Sequence, residues 1–225
     1  MPIQNAARYF DIVAYGLYRL SPEPDLYVFL ESDSTDRTLE VLDRFHRPKE
    51  IIQLDFPNRP KYGYEIIAKV RQRLLERARE LGPDYAIYLD SDVRVRSEDL
   101  IARLTSWGKE IVGASYLRRM PIPGHPEIPL VIQSFFPKEN MLSSRDLRFY
   151  KERGPLLEVA VAGAGCLCLS RTVVDDSRLN WVPVIKGSED ESWCQKATDA
   201  GYKIYLDTTI LLDHYIGVKK DKAWK

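Results

Sequence analysis

Tyr85-Ala86-Ile87-Tyr88-Leu89-Asp90-Ser91-Asp92 is a short apolar run that stops on two carboxylates flanking a serine. A run this brief, rich in aromatic and branched residues and bounded by polar ones, reads as a buried strand, because a helix segment would be longer. Ligands collect beyond the carboxyl ends of strands in open α/β sheets, so Asp90 and Asp92 would face such a crevice. Their hard oxygens suit Mg²⁺ or Mn²⁺. The same tripeptide also makes a good turn and helix cap, so its neighbours must decide between the two readings.

Upstream, residues 26–30 (LYVFL) form a second apolar run that ends in Glu31-Ser32-Asp33-Ser34-Thr35-Asp36. This predicts another strand feeding a helix, with Ser34, Thr35 and Asp36 as N-cap candidates, Leu39, Leu42 and Phe45 inward, and Pro48 as the stop. A longer helix follows, with Ile67, Val70, Leu74, Ala78 and Leu81 on one face, and Arg71 among the charged residues on the rest. Gly82-Pro83 ends it. Downstream, Ser97-Glu98-Asp99 opens a helix toward Trp107, and residues 111–114 form a strand. Alternating strand and helix favours a mostly parallel central sheet with helices on both faces.

Five prolines at 121, 123, 126, 129 and 137 mark an irregular middle segment, where an acceptor-binding loop could sit. Gly163 and Gly165 interrupt an apolar stretch, as a β-bulge does or a place where ligand meets bare backbone. Ser188 and Glu191 have capping-box spacing at the start of a helix that turns Trp193, Ala197 and Ala200 inward. Residues 203–206 and 210–212 read as two short strands, the second running into Asp213-His214.

The chain has 225 residues, with 33 basic side chains against 33 acidic ones. At this length one domain with a sizeable core is expected. A formal charge of zero argues against a nucleic-acid coat protein, which needs a basic face, although Arg118-Arg119 or the lysines at 219, 220, 222 and 225 could meet phosphate locally. The three cysteines, Cys166, Cys168 and Cys194, are too few for a disulfide framework, and Cys166-Leu167-Cys168 reads as same-face burial on a strand. No apolar run approaches the roughly 20 residues of a membrane span, and the start lacks a secretory leader, so a cytoplasmic location is expected, with contact at the inner face of a membrane left open. His46 and His125 read as surface residues.

The order of these motifs resembles glycosyltransferases of the GT-A fold, especially the family 2-like group. Leu30-Glu31-Ser32-Asp33-Ser34-Thr35-Asp36-Arg37-Thr38 looks like that group's acidic turn, and Tyr88-Leu89-Asp90-Ser91-Asp92 like its DxD motif. Gly187-Ser188-Glu189-Asp190 is similar to its "GED" motif, and Asp213-His214 to its late histidine. The match runs from about Asn5 to His214, and each motif is weak alone but specific in this order.

The resemblance implies an α/β GT-A (Rossmann-like) single domain over 1–225, with a nucleotide-binding half (about 1–115) and an acceptor-binding half (about 116–225). It implies a hexosyltransferase-like enzyme that takes a nucleotide-diphosphate sugar as donor and a carbohydrate, lipid-linked or small hydroxyl compound as acceptor. Asp92, Asp90 and His214 would hold Mn²⁺ or Mg²⁺, with Asp92 the stronger ligand. Glu31 and Asp33 would read base and ribose, joined at the donor by Asp90, Ser91 and Arg71, the last standing where relatives carry an Arg-Asn pair and this chain has Arg71-Gln72. Asp190, then Glu189, would be the base of an inverting transfer. In the first helical turn the macrodipole should keep the Asp190 pKa low, which would make it a reliably charged but weak base. A retaining enzyme of the same fold, a sugar-phosphate nucleotidyltransferase and a non-catalytic nucleotide- or carbohydrate-binding domain are the alternatives. The strand that ordinarily leads into the positions of Pro2 and Asn5 is represented here by only a few residues.

Overall fold

The computed structural model describes residues 1–57, 63–118, 131–132, 134–135, 151–183 and 188–214, with backbone alone at 63–64, 117–118, 131–132, 134–135 and 214. Its strands are β1 (Pro2–Ile3), β2 (Tyr27–Glu31), β3 (Lys49–Gln53), β4 (Tyr85–Leu89), β5 (Val93–Arg94) and β6 (Ile111–Arg118), then β7 (Val131–Ile132), β8 (Ser134–Phe135), β9 (Leu156–Val159), β10 (Val161–Ala162), β11 (Cys166–Ser170) and β12 (Ile204–His214). The described helices are α1 (Phe10–Tyr18), α2 (Thr38–Asp43), α3 (Gly63–Leu81), α4 (Leu100–Ser106), α5 (Arg171–Asp175) and α6 (Glu189–Asp199).

β1, β2 and β3 form a parallel sheet in which Pro2 stands opposite Leu30 and Leu30 opposite Ile52. The larger sheet runs β4-β11-β6-β12-β5, with β7 on β6 and β9 on β12. Here the expectation of a mostly parallel sheet needs correction. Among its described strands only β6 and β12 pair parallel, while β11 lies antiparallel between β4 and β6. The reason is where β11 enters: Cys166 begins it beside Leu89, the last residue of β4, so the chain can only run back down the sheet.

The sheets are covered on both faces, as the alternation of side chains along β2 shows. Phe29 and Leu30 are neighbours in sequence, both fully buried, and belong to different cores. Phe29 joins an edge-to-face ring cluster with Phe10 of α1 and Phe45 after α2, at centroid distances of 5.7 and 5.3 Å. Leu30 packs with Val70 and Leu74 of α3 and Trp193 of α6. Burying each such side chain contributes about 1.5–3 kcal/mol.

Two helix faces differ from expectation. Leu39 and Leu81 are 41% and 43% exposed, because α2 buries Val41 and Leu42 and α3 buries Ile66, Val70, Leu74 and Leu75. α3 also buries Arg71 on this face, at 3% exposure. The two strands expected near the end are one, β12, with a register slip between Asp207 and Leu211. Asp207 holds the slip by accepting the N–H groups of Thr209 and Ile210 at 2.8 and 3.2 Å. The proline-rich middle with His125, Arg119, Gly187 and the lysine tail lie outside the described residues, as do the side chains of Arg118 and His214. Among the described residues, no helix is long and apolar enough to cross a membrane.

Candidate functional site

β4 delivers Asp90, Ser91 and Asp92 to the floor of a cleft of about 280 Å³, walled by Pro2 and Gln4 on one side and Ile66 and Val70 of α3 on another. The Asp-Ser-Asp tripeptide is fixed from three directions. Asp90 N–H donates to the carbonyl of Gly165 at 3.0 Å, Val93 N–H returns to the Asp90 carbonyl at 3.0 Å, and Tyr9, before α1, hydrogen-bonds Ser91 through its hydroxyl. Burial pushes the Tyr9 phenol upward, against that hydrogen bond and with the help of Asp92, Asp36 and Asp90, so the ring enters the cleft as a neutral wall.

The acidic turn is clamped to the start of the chain. Asn5 Oδ1 accepts Thr35 N–H at 2.8 Å, Asn5 N–H donates to Ser34 Oγ at 2.9 Å, and Ala6 N–H donates to Thr38 Oγ1 at 2.8 Å. Glu31 serves the turn itself, its Oε1 taking the N–H of Ser34 at 2.7 Å. Asp33 is different. It sits at φ +49°, its Oδ1 accepts Phe56 N–H at 3.1 Å, and its Oδ2 is buried without a hydrogen-bond partner among the described residues. A sealed carboxylate oxygen without a donor is costly.

Arg71 gathers the acids next to this floor. Its Nη2 donates to both carboxylate oxygens of Asp90 at 3.1 Å, and its Nη1 reaches Glu189 at 2.6 Å and Asp190 at 2.5 Å. Its guanidinium lies over the Trp181 ring, 5.2 Å from the centroid, and its carbonyl accepts the Tyr88 hydroxyl, which in turn accepts Trp181 Nε1–H. Burial alone would lower the Arg71 pKa; Asp90, Asp190 and Glu189 outweigh it and hold the group protonated. The periodicity of α3 assigned Arg71 to the solvent side. The missed signal was its spacing one residue after Val70 and three before Leu74, on the apolar stripe.

Glu189 and Asp190 open α6 above this point, and the capping box is present: Ser188 Oγ accepts Glu191 N–H, and Glu191 Oε2 accepts Ser188 N–H, both at 3.2 Å. The expectation of a depressed Asp190 pKa is overturned. Burial raises it, Arg71 and the Ala164 N–H pull the other way without winning, and Asp90 adds to the rise. Glu189 is raised by burial in the same way. One guanidinium is divided among three carboxylates, so none receives a full counter-charge.

Gly165 is small for an internal reason. A Cβ there would stand 2.8 Å from Cζ of buried Tyr116, so packing against this ring alone requires a glycine.

For a metal, the donor set is hard oxygen. Among the described residues no group of three His, Cys, Asp or Glu side chains is arranged to hold an ion. Mg²⁺ on a diphosphate nevertheless needs only one or two protein carboxylates, the rest being phosphate oxygens and water, so Asp92 and Asp90 fit that lesser demand. The backbone of His214 pairs with Val93, the residue after Asp92, which brings the last residue of β12 beside the tripeptide.

A parallel β1-β2-β3 unit and a mixed sheet, with the cleft at the carboxyl ends of β2 and β4, define the α/β GT-A fold. Its solved likenesses include TarS residues 1–349 of S. aureus, with TM-score 0.62, 15% identity, and coverage of 95% of this chain and 58% of that one. The same TarS segment with UDP-GlcNAc gives TM-score 0.61 at 15% identity over 99% of this chain and 58% of that one. A mycobacterial protein gives 0.56 at 16% identity over 99% and 66%. This chain thus spans about three-fifths of the TarS segment (58%). No family model matches the sequence, and no curated protein does.

Proposed function

We propose that the chain is a metal-dependent glycosyltransferase that moves a sugar from a nucleotide-diphosphate donor to a hydroxyl acceptor with inversion. The observation that carries this reading is the Asp90-Ser91-Asp92 floor of the cleft, joined through one buried guanidinium to Glu189 and Asp190. TarS, of like fold, has been crystallised with UDP and with UDP-GlcNAc, which supports a nucleotide-sugar donor. In this reading the chain is one GT-A domain, its nucleotide-binding half ending near residue 115.

Asp33 Oδ2, buried and unpartnered, accepts a donor group of the base, and the turn held by Glu31 and Asn5 keeps it there. Asp92 and Asp90, with His214, hold Mn²⁺ or Mg²⁺. That ion, when bound, supplies Lewis-acid neutralisation of the charge that develops on the diphosphate. Asp92 is the principal ligand, because both Asp90 oxygens are engaged by Arg71. Asp190 takes the proton from the acceptor hydroxyl as the new bond forms at the anomeric carbon, and its raised pKa makes it a better base than an exposed aspartate. Arg71 fixes its direction, and Trp181 and Tyr88 fix Arg71.

A panel of nucleotide sugars, screened for Mn²⁺-dependent hydrolysis, tests the proposal. Asp92→Ala should lose both hydrolysis and Mn²⁺-dependent donor affinity; unchanged affinity in that variant would exclude the site. The anomeric configuration of fresh product, read by nuclear magnetic resonance, decides inversion against retention.

A further inference from the structure

A second pocket of about 260 Å³ lies farther along α1, where Tyr15, Gly16 and Arg19 meet the segment that follows the Asp-Ser-Asp tripeptide. At 1.5 Å per helical residue it is about 10 Å from Tyr9 and the donor cleft. The helix and the segment touch at Gly16, where a Cβ would stand 2.6 Å from the Val95 carbonyl oxygen. Val93 and Val95 are buried in the core, and Arg94, between them, lines the pocket with Arg96 and Glu98.

The charges around this pocket do not cancel. Arg19 is held by Glu98, with Nε 2.9 Å from Oε1, and stacks over Tyr15 at 5.4 Å. Arg96 is held by the buried carboxylate of Asp213 at 2.6 and 2.7 Å. Arg94 has no hydrogen-bond or ion-pair partner among the described residues, and its Nε is sealed from solvent. The stem and Nε are therefore held against the wall, while the terminal amino groups are not sealed and stay open to an incoming acceptor. A partly desolvated guanidinium without an acceptor costs more than an exposed one, and the fork geometry of arginine answers to carboxylate and phosphate oxygens. The two neighbouring arginines add positive potential, although each has its own carboxylate.

We infer that this pocket binds a small oxyanion, a phosphate or carboxylate group, with Arg94 as its principal contact. The site is separate from the donor cleft and does not depend on the function proposed above.

The test is a titration of the full chain with inorganic phosphate and, separately, with citrate, at constant ionic strength, followed through backbone amide shifts. Saturable shifts at residues 15–19 and 94–98 are expected, with a dissociation constant in about the millimolar range that one charge-assisted contact set gives. Saturation by phosphate alone, by citrate alone or by both supports the inference and names the oxyanion. Arg94→Gln should weaken the interaction about tenfold or more. Ser97→Glu, at the half-buried rim, places a repelling charge without touching the core and should do the same, so the test survives if Arg94→Gln fails to fold. Shifts that never saturate, or an affinity unchanged in either variant, would overturn the inference.

Discussion

Nη2 of Arg71 lies 3.1 Å from each carboxylate oxygen of Asp90, so the first acid of the Asp-Ser-Asp floor is bound end-on by a side chain from the middle of α3. The remaining amino group of that guanidinium reaches the two acids at the start of α6. Elements distant in sequence are thereby tied at one buried cation, and the cleft's shape depends on it.

Arg71→Met should therefore destabilise the fold by about 3–5 kcal/mol, since it leaves three acids around a site that has lost the cation they share. Arg71→Lys keeps the charge but cannot span three partners, and should fall between the two. Urea unfolding of the three proteins checks the order. Equal midpoints would mean that the cluster is solvated and holds nothing together.

The proton balance at Asp190 gives a pH dependence of definite sign. Its pKa is raised in the folded state, first by burial and further by Asp90, against Arg71 and Ala164. The native state therefore binds more protons than the unfolded chain in the window above the ordinary carboxylate value of about 3.9, and stability falls as pH climbs through that window. Asp190→Asn keeps an oxygen for Arg71 and cannot ionise. It should melt at or above the wild-type temperature at neutral pH, an advantage that fades as pH falls through the raised folded-state value and is gone by about pH 4, while transfer is lost. A melting series against pH reads this directly, and an Asp190→Asn protein that melts lower at neutral pH would contradict it.

How far the fold and the site were legible in sequence depends on which interactions are local. Residues 85–89 and 26–30 announced themselves as strands because an apolar run followed by clustered acids has few other readings, and Ser188 with Glu191 announced a helix start through spacing alone. The antiparallel entry of β11 was not legible, since direction depends on where the strand starts in the folded chain, beside Leu89 at the end of β4. Arg71 was misread because helical periodicity ranks a charged residue as outward, whereas here it is inward for the sake of acids that come together only in the folded chain. Gly165 showed that something needed room, but not that Tyr116 was the occupant.

Asp33 separates binding from folding. One of its oxygens holds Phe56, the other is buried and unpartnered, and its φ of +49° is a conformation that asparagine tolerates well. Asp33→Asn should leave the melting temperature nearly unchanged while weakening UDP about tenfold, roughly the loss of one charge-assisted hydrogen bond. Calorimetric titration with UDP measures it. Undiminished affinity would remove Asp33 from the donor site.

Gly165→Ala tests the internal packing that holds the Asp-Ser-Asp floor in place. The added Cβ would lie 2.8 Å from Cζ and 2.9 Å from Cε1 of Tyr116, whose ring is 3% exposed and has nowhere to retreat. Overpacking of this kind costs about 1–3 kcal/mol. The Gly165 carbonyl also accepts Asp90 N–H, so a shift of this residue moves the tripeptide and should lower donor affinity along with stability. Removing the obstacle should undo both effects. Gly165→Ala combined with Tyr116→Leu is expected to be more stable than the sum of the single changes predicts, and a double-mutant cycle in urea yields that coupling. Strict additivity would show that the ring and the glycine are independent, and that the glycine is there for something other than the tyrosine.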